Sequence, residues 1–502
     1  MTSTSRDLGR FDLDPHGLAR MLSGRMYVDG DFTAPGGRET FAVHNPATGL
    51  EIGRAPEAGA DDVDAAVQAA RAAQRSWART SARDRGKLLA EAARVLNGHV
   101  EELARLVALE TGKALRTECR PEALATSDVF TFFGGLTPEL KGETIPLKAG
   151  ALTYTVREPI GVVGAIIPWN APLMLMAFKV APALAAGNTV VVKTAEEAPL
   201  GVLRVIQILG SVLPPGVLNV VSGHGPSTGA ALVSHPDVKK VSFTGSVETG
   251  RIIYQAAAKK LVPVTLELGG KSPMIVLADA DLDKAVAGAM AGMRFTRQGQ
   301  SCTAASRMFV HESIHDEFVA RLKAAADKLV IGDPLEESTD VGTIISKAQF
   351  DKVRSYIDLA KRDASCVLHT CSALPGNAAL AHGYYLQPTL VTGVSNDSTL
   401  AREEIFGPVA CVIRFGTFDE AIAMANDSDF GLAATVWTND LKLAMEACAR
   451  LEAGIVQVNQ NQVAGPNLSY GGVKQSGLGK ELSLESMLDH FTHKKTVVVN
   501  FE

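Results

Sequence analysis

Short apolar runs alternate with longer, helix-like segments through the central part of the chain. The segments 174–186 and 200–213 have helical length and are followed by glycine or proline residues that end helices. Four apolar runs are shorter and predict buried strands, namely GVVGAII (161–167), TVVVK (189–193), VLNVV (217–221) and VSFT (241–244). Strands alternating with helices predict an α/β fold with a parallel sheet, which binds ligands at the carboxyl ends of its strands.

Other patterns flank this region on both sides. Ala-rich helical spacing over 61–93, continued at 103–109, predicts helices ahead of the first parallel unit. From about 270 to 476 a second α/β pattern follows. The first twenty or so residues, rich in Asp, Arg and Gly, predict a loose extension. The C-terminal segment HKKTVVVNF alternates like an edge strand, with TYTV (153–156) as its expected partner in a small separate sheet.

Composition and charge exclude several classes of protein. The 502 residues are 46% hydrophobic and 21% charged, as in folded soluble proteins, and require more than one core. A formal net charge of -6 leaves no basic field for nucleic acid, and no apolar run approaches the ~20 residues of a membrane span. Six scattered cysteines are typical of a reducing compartment. We therefore expect a cytoplasmic protein without nucleic-acid or membrane partners.

Three residues are candidates for covalent chemistry at a carbonyl group. Cys302 follows the Gly-containing turn of QGQSC, where a thiolate would be accessible to a substrate, although a single Cys is more often an inert core residue. Glu267 ends an apolar strand before Gly269 and Gly270, and is a base candidate or an exposed strand-end charge. Asn170, in PWNAP, is a neutral donor for an oxyanion or simply a turn residue.

Two further segments suit a nucleotide. Lys193 and Glu196 follow the strand TVVV, where a Glu can accept hydrogen bonds from both ribose hydroxyls and repels a 2′-phosphate. The segment FTGS (243–246) ends a strand and opens a helix, which is a ready site for a pyrophosphate. The G-x-G-x-x-G fingerprint is absent. The glycines that come nearest to it, Gly223, Gly225 and Gly229, have the wrong spacing.

Taken together and in order, these segments resemble the aldehyde dehydrogenase superfamily. The matching motifs are PWNAP, KTAE (193–196), FTGS, LELGGKSP around Glu267, GQSC, EEIFGPV (403–409) and SYGGVKQSGLGKE (469–481). The resemblance covers the chain from about Met26 to its end. It implies a non-acylating enzyme that uses NAD, with NADP less favoured because of Glu196, and that is a homodimer or homotetramer acting on a small-molecule aldehyde.

The resemblance also implies a role for each matching residue. Cys302 would be the nucleophile, Glu267 the base that activates water, and Asn170 with the Cys302 backbone N–H the oxyanion hole. Glu404 would bind the nicotinamide ribose and Phe406 would lie against the nicotinamide. The residues expected around the cofactor are Ile166, Pro168, Trp169, Lys193, Glu196, Gly225, Gly229, Phe243, Gly245, Ser246, Leu268, Glu404 and Phe406.

The expected domains follow from the same resemblance. They are an N-terminal extension (1–25), an NAD-binding domain (26–140 and 159–269), a catalytic domain (270–478) and a small β extension for oligomerisation (141–158 and 479–502). The active site is expected in the cleft between the two large domains. No metal is expected, because Cys366, His369 and Cys371 lack a fourth ligand at zinc-site spacing.

Several positions depart from the family's common pattern of aromatic residues near the entrance. These positions are Ala171, Thr296, Arg297, Gln457, Ala464, Ser469 and Tyr470. Loss of bulk predicts a wider tunnel and a bulky, long-chain or aromatic aldehyde. Arg297 alternatively indicates a substrate with an acidic tail, although a structural or solvated Arg is commoner.

Two rival functions remain open at the level of sequence. The first is an acylating dehydrogenase that transfers the acyl group to coenzyme A, and the presence of Glu267 argues against it. The second is a protein that has kept the fold and lost catalysis. The joint presence of Cys302, Glu267, Asn170 and Glu404 argues against that rival.

Overall fold

A computed structural model describes residues 14–33, 39–461 and 465–501 of the chain. Its α-helices are α1 (Pro15–Leu22), α2 (Ala60–Arg79), α3 (Ala82–Asn97), α4 (Val100–Thr111), α5 (Arg120–Leu136), α6 (Pro172–Ala185), α7 (Leu200–Leu209), α8 (Ala230–Ser234), α9 (Val247–Ala258), α10 (Leu282–Met293), α11 (His315–Ala326), α12 (Lys347–Arg362), α13 (Thr399–Arg402), α14 (Phe418–Asn426), α15 (Leu441–Arg450) and α16 (Leu484–Phe491). In the ranges described, none is long and apolar enough to cross a membrane.

The strands fall into two large sheets and three small ones. They are β1 (Tyr27–Val28), β2 (Asp31–Phe32), β3 (Thr40–His44), β4 (Glu51–Pro56), β5 (Ala151–Pro159), β6 (Val162–Ile166), β7 (Thr189–Lys193), β8 (Leu218–Val221), β9 (Val238–Thr244), β10 (Val264–Glu267), β11 (Pro273–Val276), β12 (Arg307–His311), β13 (Val367–Thr370), β14 (Thr389–Thr392), β15 (Val409–Phe415), β16 (Phe430–Gly431), β17 (Ala433–Trp437), β18 (Ile455–Val458), β19 (Val473–Lys474), β20 (Gly477–Leu478) and β21 (Thr492–Asn500).

The first large sheet confirms the parallel sheet predicted for the central region. Its order is β2-β1-β8-β7-β6-β9-β10-β20, in which β8, β7, β6, β9 and β10 run parallel. The register places Ile166 beside both Lys193 and Phe243 at the carboxyl ends of three neighbouring strands. Residues predicted for cofactor binding from three separate segments therefore share one edge of the sheet.

The helices of this region differ from the predicted ones mainly at their ends. Helix α6 begins at Pro172, before the predicted start at 174, because a proline fits the first helical turn, where no N–H donor is needed. Helix α7 stops at Leu209, where Gly210 follows, rather than at 213. The continuous helical region predicted over 61–93 is two helices, since Ser81 caps a new helix by accepting the N–H of Asp84.

The second large sheet has the order β13-β14-β15-β12-β11-β17-β18 and confirms the second α/β region. All of its neighbouring strands are parallel except the edge pair β13–β14. Only residues 268–272 join β10 of the first sheet to β11 of the second. This short link brings the ends of the two sheets together around Glu267.

The small sheet predicted from segments 153–156 and 493–501 is confirmed. Strands β5 and β21 pair antiparallel over nine residues, from Ala151↔Asn500 to Pro159↔Thr492. The preceding helix α16 buries Met487 and Phe491 in the core of the first sheet. The expectation of a loose N-terminal extension is wrong for Pro15–Leu22, which form a helix packed on the same core, whereas residues 1–13 lie outside the described ranges.

A buried ion pair ties the helical layer to the segment that carries Asn170. The Lys113 ammonium and the Glu122 carboxylate are hydrogen-bonded and both nearly inaccessible to solvent. Lys113 Nζ also donates to the Asn170 carbonyl (3.0 Å), and Glu122 Oε1 accepts the Leu173 N–H (2.8 Å) at the start of α6. The pair therefore fixes both the Asn170 turn and the beginning of the helix that follows it.

Substituting Glu122→Gln is expected to lower the free energy of unfolding by about 3 kcal/mol, because it leaves the Lys113 charge buried without a counter-ion. Chemical denaturation measures this change. The matched control is Glu91→Gln, which breaks a solvent-accessible pair with Arg94 and is expected to cost much less, because water screens exposed charges. Equal losses in the two variants would contradict a special role for the buried pair.

Candidate functional site

Two cavities meet at Cys302. The first is lined by Asn170, Ala171, Met174, Leu175, Phe178, Ser272, Pro273, Arg294, Arg297, Ser301, Cys302, Thr303, Ala305, Ala433, Ala434, Thr435, Ile455, Gln457, Asn461 and Tyr470. The second is lined by Pro168, Trp169, Asn170, Thr244, Gly245, Ser246, Leu268, Gly269, Cys302, Gln349, Lys352, Glu404 and Phe406. Asn170 and Cys302 belong to both, so a ligand in either cavity reaches the same thiol.

The backbone around Cys302 is held by close contact with the link between the sheets. A Cβ on Gly270 would lie 2.3 Å from the Cys302 carbonyl oxygen, a distance that a side chain cannot occupy. Before the cysteine, Gln298 and Gly299 both adopt positive φ (56° and 63°), which turns the chain sharply out of the helical region. The position of the thiol thus depends on the absence of a side chain at Gly270.

The Cys302 thiol is half-buried and faces a tyrosine. Its Sγ lies 3.3 Å from the Tyr470 hydroxyl. Burial raises the pKa of Cys302 to about 11, and the hydrogen bond to Tyr470 opposes that rise. The thiol is consequently protonated at neutral pH in this arrangement, so its reaction as a nucleophile requires a group that accepts its proton.

Asn170 and Cys302 together provide hydrogen-bond donors at the junction. Asn170 Nδ2 donates to the Gln300 carbonyl at 3.1 Å, which orients the amide along the Cys302 turn. Within the ranges described, the backbone N–H of Cys302 donates no hydrogen bond. A neutral amide and a free N–H beside the thiol suit an oxyanion that develops on a carbon bonded to Sγ.

Glu267 lies behind this junction rather than in the wall of either cavity. It is 3% exposed, and neither carboxylate oxygen has a hydrogen-bond partner within the described part of the chain. Its Oε1 packs against Gly471, where a Cβ would approach to 2.5 Å. Burial raises the pKa of Glu267 well above its usual value, and the negative charge of Glu481 raises it further.

Glu481 is itself held by a buried lysine. Its Oε1 accepts a hydrogen bond from Lys179 Nζ at 2.6 Å and a longer one from the Ser242 hydroxyl at 3.2 Å. The ammonium lowers the pKa of Glu267, and so opposes the effect of Glu481. Glu267 therefore titrates within a buried group of charges that spans α6, β9 and the C-terminal segment.

Seven of the residues predicted for the cofactor line the second cavity. Ser246 caps helix α9 by accepting the Thr249 N–H, and so places a helix N-terminus at the cavity. Glu404 Oε1 accepts the Gly270 N–H at 2.9 Å, and the Trp169 and Phe406 rings meet edge to face at 5.3 Å. The seven are Pro168, Trp169, Gly245, Ser246, Leu268, Glu404 and Phe406.

The other six predicted cofactor residues lie along the same sheet edge, beyond the cavity wall. Glu196 Oε1 accepts hydrogen bonds from Lys193 Nζ (2.8 Å) and from the Gly225 N–H (2.9 Å). A Cβ added to Gly225 or Gly229 would meet no atom within 4 Å, so this surface is open. Ile166 and Phe243 end strands β6 and β9 beside Lys193.

The positions that depart from the family pattern differ in whether they line the first cavity. Ala171 and Gln457 line the first cavity, as expected for a widened tunnel, but Tyr470 also lines it and brings an aromatic ring to the thiol. Thr296 lies outside the cavity wall and donates its hydroxyl proton to Glu118. Ala464 lies outside the described residues. The predicted preference for a bulky aldehyde stays a prediction.

Several site residues were not predicted from the sequence, among them Gln349, Lys352, Glu481 and Arg294. Gln349 and Lys352 come from helix α12, far along the chain from any recognisable motif. Glu481 is a charged residue within the motif SYGGVKQSGLGKE, and that position in a motif is the signal that could have identified it. Arg294 lies eight residues before Cys302, outside the motifs that resemble the family.

No cluster of three or more metal-ligating side chains occurs in residues 14–33, 39–461 and 465–501. Of the three residues weighed from the sequence, His369 Nε2 contacts the Thr392 hydroxyl at 3.2 Å and Cys371 is buried. Cys366 is a free thiol, like the other five cysteines.

Comparison with known proteins agrees with this geometry. The model of the aldehyde dehydrogenase family matches residues 32–497. Betaine aldehyde dehydrogenase from Sinorhizobium fredii is 44% identical over 475 residues, which cover 94% of this chain and 96% of that protein. Human mitochondrial aldehyde dehydrogenase is 42% identical, with coverage of 97% and 93%.

A solved structure extends the likeness to three dimensions. The NAD+ complex of aldehyde dehydrogenase from Bacillus cereus superimposes with a TM-score of 0.91 at 41% identity, covering 95% of this chain and 96% of that one. The match includes both large sheets, because it spans nearly the whole of each chain. The family model, the relatives and the solved structure agree, and the chain belongs to the aldehyde dehydrogenase family.

Proposed function

We propose that the protein oxidises an aldehyde to its carboxylic acid with NAD as oxidant, and that Cys302 carries the acyl group as a thioester. The observation that supports this most is the meeting of two cavities at one thiol. One cavity suits a small organic substrate and the other has the features of a nucleotide site. Asn170 lies in both, as a donor shared by the two ligands would.

The residues of the second cavity and of the sheet edge beyond it fit NAD. The N-terminus of helix α9, with Gly245 and Ser246, suits the negative charge of a pyrophosphate. The Glu196 carboxylate, oriented by Lys193, suits two ribose hydroxyls and disfavours a 2′-phosphate. The NAD+ complex of the related Bacillus cereus enzyme supports the same choice. Glu404 and Phe406 line the same cavity as Cys302, which supports their proposed role at the nicotinamide half.

The first step is attack of the Cys302 sulfur on the carbonyl carbon of the aldehyde. The S–C bond forms as the C=O π electrons move to oxygen, and the thiol proton leaves to a carboxylate or to water. Because burial raises the pKa of the thiol, removal of this proton is part of the barrier. Asn170 Nδ2 and the Cys302 N–H then donate hydrogen bonds to the oxyanion of the thiohemiacetal.

Oxidation and hydrolysis complete the reaction. NAD bound in the second cavity would supply the hydride acceptor for the carbon attached to Sγ. As that hydride leaves, the oxyanion electrons re-form the C=O bond and Cys302 holds the acyl group as a thioester. Glu267 takes a proton from water, whose oxygen attacks the thioester carbon and expels the thiolate with formation of the acid. The raised pKa of Glu267 gives its carboxylate the basicity that this step needs. Glu267 must rotate toward Cys302, because it lies outside both cavity walls.

The presence of Glu267 favours water over coenzyme A as the acyl acceptor. Once the Glu267 carboxylate has rotated toward Cys302, a thioester there has a base for its hydrolysis. Coenzyme A is therefore expected to give no increase in rate.

We also propose that the protein acts in the cytoplasm as a homodimer or homotetramer. All six cysteines are free, which suits a reducing compartment. The β5–β21 ribbon exposes apolar side chains, including Leu152, Val498 and Phe501, that a second subunit would cover.

Substituting Cys302→Ala is expected to abolish NADH formation with every aldehyde, by at least about a thousandfold, since no thiohemiacetal can form. Absorbance of NADH, with aliphatic, aromatic and carboxylated aldehydes, measures the rate.

Substituting Glu267→Gln is expected to keep the first-turnover burst of NADH and to lower the steady-state rate about a hundredfold. Glu446→Gln, on the surface, is the control. An unchanged steady state in Glu267→Gln would contradict its role as the base.

Substituting Tyr470→Phe is expected to slow alkylation of Cys302 by iodoacetamide at neutral pH about tenfold, because the thiolate loses a hydrogen-bond donor. Labelling is followed by mass spectrometry without cofactor. Tyr385→Phe is the matched control, since Tyr385 is buried and its hydroxyl has no partner within the described residues. Equal labelling of Tyr470→Phe and wild type would show that the contact does not stabilise the thiolate.

Substituting Glu481→Gln is expected to move the acid limb of the pH profile of kcat to lower pH. Removal of the neighbouring negative charge lowers the pKa of Glu267, so its basic form persists to lower pH. The exposed Glu485→Gln variant controls for a change of net charge. A shift to higher pH would contradict this electrostatic account, and thermal unfolding shows whether the variant is folded.

A further inference from the structure

The substrate cavity has a one-sided distribution of charge. Two arginines, Arg294 and Arg297, lie in its wall. No aspartate or glutamate lines it within the described part of the chain, and its other polar groups are neutral amides and hydroxyls apart from the Cys302 thiol. The charge that a substrate meets therefore depends on whether each arginine is already neutralised by a partner outside the wall.

Arg297 is neutralised. Its Nε and Nη2 donate to Glu118 Oε2 at 2.7 Å and 2.6 Å, and both side chains are buried. The other oxygen of Glu118 accepts the hydroxyl proton of Thr296 at 2.5 Å. One alternative prediction from the sequence was that Arg297 binds an acidic tail of the substrate. Its guanidinium instead holds the turn before Cys302. Glu118 makes its hydrogen bonds to Arg297 and Thr296, and its negative charge acts on Arg294 only through space.

Arg294 has no such partner. Across residues 14–33, 39–461 and 465–501, its guanidinium forms no ion pair and donates no hydrogen bond, and its buried Nε is unsatisfied. Burial, together with repulsion from Arg297, lowers the pKa of Arg294 to about 10, so the side chain remains cationic at neutral pH. The side chain is half-buried with a buried Nε, and a cation removed in part from water without a partner is unfavourable.

The backbone at this position adds a second observation. Arg294 follows helix α10 with φ +55°, in the left-handed region where glycine or asparagine is usual. The strain is not offset by any side-chain hydrogen bond to the fold. Strained residues with unsatisfied polar groups are typical of sites that bind ligands.

We propose that Arg294 binds a carboxylate at the far end of the aldehyde substrate, so that the enzyme selects semialdehydes of dicarboxylic acids over neutral and cationic aldehydes. The inference rests on the proposed function, with the aldehyde carbon at Cys302 and its tail in the first cavity. A carboxylate can accept a bidentate hydrogen bond from the guanidinium and neutralise it. Arg294 is then the residue that determines substrate specificity, while Arg297 positions the turn.

The same charge disfavours a cationic aldehyde. Betaine aldehyde, the compound in the names of several relatives, carries a permanent positive charge. The rings of Phe178 and Tyr470 in the cavity wall would attract such a cation. Arg294 would repel it, and no acidic side chain of the described cavity wall compensates. We therefore expect this chain to discriminate against that substrate in spite of 44% identity to those enzymes.

The test compares aldehydes of equal chain length with and without a carboxylate. Succinic semialdehyde is paired with butanal, and glutaric semialdehyde with pentanal, so that the better pair indicates the span between Cys302 and Arg294. Betaine aldehyde is the cationic probe. The variants are Arg294→Met, Arg294→Lys and Arg321→Met, the last being an arginine in surface ion pairs on helix α11. The readouts are kcat/KM for each aldehyde and the labelling of Cys302 by iodoacetamide.

Arg294→Met is expected to lower kcat/KM for the preferred semialdehyde about 30-fold or more and to change that for the neutral aldehyde by less than about threefold. Arg294→Lys should give an intermediate value, and Arg321→Met should resemble wild type. The rate with betaine aldehyde should rise in Arg294→Met.

Equal losses for charged and neutral aldehydes, together with slower labelling of Cys302, would show that Arg294 acts on the thiol, and would overturn the proposal. No preference of wild type for any semialdehyde over its neutral counterpart would also overturn it. Failure of the proposed function has a different signature, since wild type would then form no NADH with any aldehyde.

Discussion

The close approach of two backbones at Gly270 is the contact on which the site depends. The Cys302 carbonyl fills the space where any other residue would carry its Cβ. One residue earlier, Gly269 gives the same room to the Glu404 carboxylate, which accepts the Gly270 N–H. The link of five residues between the sheets thereby joins the base strand, the nucleophile turn and the cofactor cavity.

Burial of charge is the second organising feature. Lys113 with Glu122, Lys179 with Glu481, and Arg297 with Glu118 are paired ions removed from water. Such pairs add little net stability, yet each becomes costly when one partner is lost, so they fix the segments that carry them. Here they fix the Asn170 turn, the surroundings of Glu267 and the approach to Cys302, in that order.

The chemistry of the site follows from the groups left without partners. Both oxygens of Glu267, the backbone N–H of Cys302 and the Nε of Arg294 lack hydrogen bonds in the described chain. Buried polar groups are normally satisfied within a protein, so a set of exceptions around one thiol indicates where ligands and water supply the missing partners. The three exceptions correspond to a base, an oxyanion donor and a substrate anchor.

The sequence determined the fold class, the strands of the first sheet and the ordered motifs that identify the family, because hydrophobic periodicity and glycine-containing turns are local properties. It also supplied every residue of the cofactor cavity except those without a motif, such as Gln349 and Lys352 on α12. The sequence does not show which of the two arginines in the substrate cavity lacks an ion-pair partner. Arg294 and Arg297 are three residues apart and chemically identical, and only the arrival of Glu118 from a distant helical segment neutralises one of them. The placement of Glu267 behind the cavities and its coupling to Glu481 were likewise decided by tertiary structure, since burial and charge neighbours depend on segments far apart in the chain.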